Sequence, residues 1–248
     1  MADAASQSPS DLTITVTITD TNDQRPVYQA ADADDTFSVA ENTATSTVID
    51  NGVITDTDTT GTLGCTLGGA DAGDFTCTIS GSNAQLKFAA GPDYEAPADA
   101  DTNRVYVVTV LIHDGTANDA NGATTLTITV TDLNDQTPVY QAADADDAIP
   151  VNENVGTGTI DNGVITDTDT GNTFGCTLGG ADAGDFDCTI SGNNAAISFK
   201  SSPDYDDPDD ADENNVYVVT VLIDDRAADD AHGPTTLTLH HADPHAPT

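Results

Sequence analysis

Asp20-Thr21-Asn22-Asp23-Gln24-Arg25-Pro26-Val27-Tyr28 returns 112 residues later as Asp132-Leu133-Asn134-Asp135-Gln136-Thr137-Pro138-Val139-Tyr140. Each copy gathers two carboxylates and an amide oxygen into a few residues closed by a proline. Hard divalent cations take oxygen donors, and Ca2+ needs about six to eight of them. Mg2+ suits the pattern less, because it holds its waters and demands a small octahedral cage. A run of alternating Thr and aliphatic residues leads into each copy, so the oxygens sit where a β-strand ends. The phrase reads as half of a calcium site at the seam between two domains.

The elements that must position these oxygens repeat with them. Cys65–Phe75 reappears unchanged as Cys176–Phe186, and Val105–Ile112 as Val216–Ile223. Pro92-Asp93-Tyr94-Glu95 returns as Pro203-Asp204-Tyr205-Asp206. Self-similarity at a fixed period marks a tandem array. In the first repeat the pattern predicts strands near Thr36–Glu41, Gly52–Thr55, Gly64–Leu67, Phe75–Ser80, Ala84–Phe88, Val105–His113 and Thr124–Thr131. The last is the clearest, with Leu126, Ile128 and Val130 alternating with Thr. Seven short strands per repeat and no helical periodicity predict an all-β chain of two tandem seven-stranded β-sandwiches. The predicted layout has three parts. Residues 1–23 hold the last strand of a missing upstream repeat, Leu12–Asp20, and a linker. Residues 24–135 form repeat 1 with its outgoing linker. Residues 136–248 form repeat 2 with a truncated end: its final strand begins at Thr235, but His240-His241 follow where Val-Thr-Asp is expected, so no outgoing linker is expected.

Composition narrows the chemistry further. The 248 residues carry 43 acidic against 5 basic side chains, a net charge of −38. Such a chain does not take nucleic acid or an anionic membrane as its partner. Two compatible readings of the acidity stay open: divalent-cation binding, and solubility in high salt, where self-repulsion is screened. The absence of Trp argues against an aromatic-lined pocket. The four cysteines fall one pair per repeat, Cys65 with Cys77 and Cys176 with Cys188. This predicts two intradomain disulfides and an oxidising compartment, against the alternative of buried free thiols. No signal peptide and no apolar run long enough to span a membrane are visible.

Several motifs in order, twice over, resemble cadherin repeats, especially the cadherin-like repeats of large bacterial surface and secreted proteins. The linker matches DxNDxxP at Asp20–Pro26 and Asp132–Pro138. An acidic strand motif stands at Val39-Ala40-Glu41-Asn42 and Val151-Asn152-Glu153-Asn154, and DxD at Asp56-Thr57-Asp58 and Asp167-Thr168-Asp169. Asp93-Tyr94-Glu95 and Asp204-Tyr205-Asp206 take the place of the family's DRE motif. Asp114 and Asp225 fit its late-strand Asp.

The resemblance implies Greek-key, immunoglobulin-like sandwiches and a ligand set for Ca2+. At the internal junction it names Glu41, Asp93 and Glu95, then Asp132, Asn134 and Asp135 with backbone carbonyls near Leu133 and Gln136, then Asp167, Asp169 and Asp225. Similar junctions hold three ions, which would bring the eight carboxylates to a net charge of about −2. Asp20, Asn22, Asp23, Asp56, Asp58 and Asp114 form the downstream half of a second junction. Glu153, Asp204 and Asp206 form the upstream half of a third, without a linker, and that site is expected to be weak or empty. Asp206 shortens the reach that Glu95 has, and Arg226 stands beside Asp225 where repeat 1 has Gly115.

Other acidic and basic groups read as structural. Asp32-Ala33-Asp34-Asp35 and its copy Asp144–Asp147 read as solvated loops. Asp99–Asn103 and Asp210–Asn214 leave metal contact and a structural loop as open alternatives. Asp56–Gly61 starts like an EF-hand loop, but the twelfth position is Leu67 rather than Glu. His240, His241 and His245 read as a terminal tail. Carboxylates that recur once per repeat at a seam, without a sugar platform, do not make a glycosidase, so no enzyme is expected. The expected function is a calcium-stiffened adhesion or spacer module, extracellular, on the cell surface or secreted. Its expected partners are like repeats, homophilic or within a longer chain. Surface polysaccharide binding and self-assembly through the orphan N-terminal strand are the alternatives.

Overall fold

The computed structural model of the chain describes residues 13–115, 122–143, 148–171, 173–226 and 235–242. Two compact units emerge: one runs to Asp93 and resumes over Pro97–Val130, the other holds Tyr94–Ala96 and the chain from Thr131. In the first unit, the strands are β1 (Val27–Gln29), β2 (Thr36–Ala40), β3 (Asp50–Thr55), β4 (Gly64–Gly68), β5 (Phe75–Ser80), β6 (Asn83–Phe88), β7 (Val105–His113) and β8 (Thr124–Thr131). They form two four-stranded sheets, ordered β1-β3-β6-β5 and β2-β8-β7-β4.

The second unit repeats this with β9 (Val139–Gln141), β10 (Ala148–Asn152), β11 (Thr159–Thr166), β12 (Gly175–Gly179), β13 (Phe186–Ser191), β14 (Asn194–Phe199), β15 (Val216–Asp224) and β16 (Thr235–Ala242). Its sheets run β13-β14-β11-β9 and β10-β16-β15-β12. The all-β, two-sandwich architecture expected from the pattern is therefore present.

Three details differ from the sequence reading. An eighth strand, β1 or β9, joins each unit. It is three residues long, too short to show alternation, and its place is fixed by pairing with β3 or β11. Thr13–Asp20, read from the sequence as the last strand of a preceding repeat, is exposed and outside every sheet among the described residues; a strand needs a ladder partner. Leu12 lies outside the described residues. His240 and His241, read from the sequence as a terminal tail, lie instead in β16, pairing Val216 with His240 on β15 and Val151 with His241 on β10.

Alternation decides the core. Leu126, Ile128 and Val130 on β8 are at most 2% exposed, as are Tyr106, Val108 and Val110 on β7. Phe75 stacks on Phe88, with ring centroids 4.7 Å apart, and both meet the edge of Tyr106. Phe186, Phe199 and Tyr217 repeat the cluster. Cys65 on β4 bonds Cys77 on β5, and Cys176 on β12 bonds Cys188 on β13. Each bridge thus ties one sheet of its sandwich to the other, and no cysteine is free.

Buried carboxylates hold the edges of the sandwiches. Tyr28 donates its hydroxyl to Asp50 Oδ2, and the Ala31 N–H donates to Oδ1 at 2.8 Å; Tyr140, Asp161 and Ala143 repeat the arrangement. Position 52 must be glycine, because a Cβ there would lie 2.3 Å from the Tyr28 ring. Asp71 accepts from the N–H groups of Ala100 and Val107, while Asp99 accepts from those of Asn103 and Arg104. Asp182 and Asp210 do the same in the second unit. In the Asp99–Asn103 and Asp210–Asn214 loops, these bonds favour the structural alternative over metal contact. Asp32 turns its own loop, accepting from the Asp34 N–H. Its copy Asp144–Asp147 lies outside the described residues, as does His245.

These acids set a pH dependence. Burial raises the Asp50 carboxyl above its ordinary value of 3.8. Burial, then the charges of Asp71 and Asp99, raises Asp74; burial, then Asp182 and Asp209, raises Asp185. Such groups bind protons more tightly folded than unfolded, so stability falls as pH rises through their window. The metal-free protein is expected to gain stability as pH falls from about 7 toward the ordinary carboxylate range. The gain should level off once the unfolded chain is protonated as well. Urea midpoints measured in chelator across that range check this.

Candidate metal centre

In the first unit, the acidic group forms where β3 and β7 end. Asp56, Asp58 and Asp114 each bring a carboxylate oxygen within 4.8 Å of the others. The DxD spacing makes its own turn, with the Asp58 N–H donating to Asp56 Oδ1 at 3.0 Å. The incoming DxND segment is laced to that turn. Asp58 Oδ2 accepts from the N–H groups of Asp23 and Gln24 at 2.8 and 2.6 Å. Asp20 Oδ2 accepts from the Thr59 N–H and hydroxyl at 2.6 and 2.7 Å, which holds its carboxyl below the usual value. Asp23 Oδ1 accepts from the Gln24 amide.

Asn22 Nδ2 points away to the Asp114 carbonyl at 3.4 Å. Its amide oxygen consequently faces Asp58 Oδ2 at 3.1 Å and Asp114 Oδ2 at 2.8 Å. Three acceptors that close repel one another unless a cation lies among them or the amide turns over to donate.

The second unit builds the same frame and extends it. Asp167, Asp169 and Asp225 form one group of converging oxygens, and Glu95, Asp132 and Asp169 another. Asp169 belongs to both. Its own N–H donates to Asp167 Oδ1 at 3.1 Å, and its Oδ2 accepts from the Gln136 N–H at 2.8 Å. Asp132 Oδ2 accepts from the Thr170 N–H at 2.6 Å and from the Thr170 hydroxyl. Asn134 Nδ2 donates to the Asp225 carbonyl at 3.3 Å, matching Asn22 on Asp114. Asp135 Oδ1 accepts from the Gln136 side chain at 2.8 Å. Leu133, between these ligands, is 42% exposed.

Two buried oxygens decide whether the set fits a cation. Asp132 Oδ1 and Asp167 Oδ2 have no hydrogen-bond partner among the described residues. Carboxylate oxygens about 5 Å apart repel by on the order of 3 kcal/mol per pair at an effective dielectric of about 20. A buried acceptor left unsatisfied adds its own desolvation cost. Burial, then the charges of Asp167 and Asp132, raises the Asp169 carboxyl above its usual value. A hard, oxygen-seeking divalent ion removes all three penalties, and the donor set is entirely oxygen.

The residues named for the upstream side of each junction sit at the far end of β2 or β10. Glu41 is 2% exposed in the first unit. Asn42, at φ +57°, turns the chain so that its N–H meets the Pro92 carbonyl at 2.8 Å, bringing the end of β2 beside the loop that carries Asp93. Asn154 and Pro203 repeat this bond, and there Glu153 accepts from the Tyr205 N–H at 3.3 Å. Asp204 accepts from the Asp206 N–H. Arg226 is held at φ +70° where the first unit has Gly115 at +94°.

Sequence reasoning did not find the Tyr28–Asp50 and Tyr140–Asp161 ties. The recurring Val-Tyr-Gln after each linker proline was their only sequence signal.

The fold is that of tandem cadherin-like domains. The chain is similar to protocadherin gammaB7 EC3-6, with a TM-score of 0.68 and 19% identity over 91% of this chain and 52% of that one. It is likewise similar to human protocadherin-24 EC1-2, with a TM-score of 0.67 and 18% identity over 89% of this chain and 99% of that one. A curated relative, Cadherin-99C of Drosophila melanogaster, is 28% identical over 144 residues, which are 58% of this chain and 8% of that protein. No protein-family profile matches the chain. These likenesses speak for the fold, and the bacterial kinship read from the sequence gains no support from them.

Proposed function

We propose that the chain is a calcium-binding extracellular adhesion or spacer module, in which Ca2+ at the linker between repeats stiffens a rod of like domains. The observation that carries this reading is the pair of buried, partnerless oxygens, Asp132 Oδ1 and Asp167 Oδ2, set in all-oxygen groups. The ligands would be Asp132, Asn134, Asp135, Asp167, Asp169, Asp225 and Glu95, joined by Glu41, Asp93 and carbonyls of Leu133 and Gln136. Asp20, Asn22, Asp23, Asp56, Asp58 and Asp114 would hold an ion in the first unit. Bound Ca2+ supplies charge neutralisation, and the protein supplies the fixed turns and N–H bonds that aim the oxygens.

The two disulfides and the fold support an extracellular setting, and no described helix is long and apolar enough to cross a membrane. Partners would be like repeats, in a longer chain or in a second molecule. No enzymatic role is proposed. Nothing described favours polysaccharide binding over this reading.

Ligand that binds only the folded state stabilises it by about 2.7 kcal/mol at a concentration 100 times its Kd. Chelator-stripped protein is therefore expected to melt markedly higher when Ca2+ is restored, and less so with Mg2+. Equal melting curves with and without Ca2+ would sink the proposal.

A further inference from the structure

The segment ahead of β1, Thr13–Asp20, carries the pattern of a core face and is exposed throughout. Ile14, Val16 and Ile18 are 75%, 80% and 92% exposed. At an offset of 112 residues they match Leu126, Ile128 and Val130 of β8, each at most 2% exposed. The same segment runs directly into Asp20, Asn22 and Asp23, as β8 runs into Asp132, Asn134 and Asp135.

The acceptor for such a strand is also present. β8 is held by β7, pairing Val107 with Thr127 and Tyr106 with Ile128. Strand β15 carries the same residues over Val216–Ile223 that β7 carries over Val105–Ile112. Its present neighbour β16 supplies Leu237 and Leu239, both fully buried, but has His241 at the position where β8 has Val130 and the N-terminal segment has Ile18.

We propose that Thr13–Asp20 of one chain replaces β16 beside β15 of a second copy, joining chains head to tail. Register follows from β7 and β8: Thr15 lies opposite the second copy's Val218, and Val16 opposite its Tyr217. Ile14, Val16 and Ile18 then stand at the positions that Leu237, Leu239 and His241 hold in the sequence of β16. The exchange also delivers Asp20, Asn22 and Asp23 to the end that carries Glu153, Asp204 and Asp206. This delivery of ligands rests on the calcium reading, and Ca2+ should promote the assembly. A head-to-tail contact adds one chain at a time, giving an open chain or, where its rotation closes, a ring.

Two variants of the full chain test this, Thr15→Cys and Val218→Cys. They are mixed under mild oxidation in Ca2+ while light scattering follows the native chain over a concentration series. The expected result is mass rising in steps of one chain and a disulfide-linked dimer found only in the mixture. Adding Ile14→Asn, Val16→Asn and Ile18→Asn to the Thr15→Cys chain should lower the cross-link about tenfold, without unfolding, since all three are exposed. A single-chain mass at every concentration, no mixed dimer, or a cross-link indifferent to the triple change would each overturn the exchange. A cross-link equally strong in chelator would leave the exchange standing and count against the calcium reading alone.

Discussion

Asp169→Asn is expected to change sign with calcium. Without Ca2+ the variant should melt above the native chain. Burial and the neighbouring Asp167 and Asp132 charges raise the Asp169 carboxyl, so the ionised form is a net cost to the fold, and an amide of the same shape removes the charge. Its oxygen can still accept from the Gln136 N–H, as Oδ2 does at 2.8 Å. With Ca2+ the order should reverse. Asp169 is shared by both acidic groups of the second unit, so its loss weakens each. The native chain gains about 2.7 kcal/mol at Ca2+ 100 times Kd, and most of that gain should vanish from the second domain. Because the two units fold around separate cores, calorimetry should resolve the change in one transition while the other keeps its response. A variant destabilised to the same extent with and without Ca2+ would mean that Asp169 is a structural turn residue rather than a ligand.

Opening the disulfides should cost nearly as much. Each bridge spans a sequence separation of 12 residues and ties the two sheets of its sandwich. The chain-entropy account gives about 3 kcal/mol for a loop of this size. In a domain of about 100 residues, each kcal/mol moves Tm by about 4–8 °C. Replacing Cys176 and Cys188 together by Ala should therefore lower the melting of the second domain by roughly 10–20 °C. The first domain should melt unchanged. An equal drop in both transitions would show that the units share a cooperative core.

The strands that were legible in the sequence are those whose faces differ chemically. Thr124–Thr131, Val105–His113 and Phe75–Ser80 alternate between buried apolar and wetter positions, and their observed limits match the pattern. Val27–Gln29 escaped because three residues carry no period; its position depends on the Tyr28 hydroxyl reaching Asp50, a contact between residues 22 apart in sequence. Thr13–Asp20 has the pattern of a strand, but a strand is a property of a pair, and among the described residues it lies outside every sheet.

The grouping of the candidate acidic side chains follows from turns of fixed spacing: DxD closes on its own N–H groups, and the linker binds back onto that turn. The roles of Asp71 and Asp99 were not legible in the sequence. An Asp aimed at a metal and an Asp aimed at backbone N–H groups are the same letter, and only the contacts to Ala100, Val107, Asn103 and Arg104 separate them.

If Asp132 Oδ1 and Asp167 Oδ2 hold Ca2+, the ion should be visible beside them in crystals grown or soaked in Ca2+ with anomalous scattering recorded. Anomalous peaks are expected at about 2.3–2.6 Å from Asp132 Oδ1, Asp167 Oδ2 and Asp169, the distance Ca2+ prefers. Those two oxygens bonded instead to protein N–H groups or water, with no anomalous peak beside them at saturating Ca2+, would contradict the calcium reading.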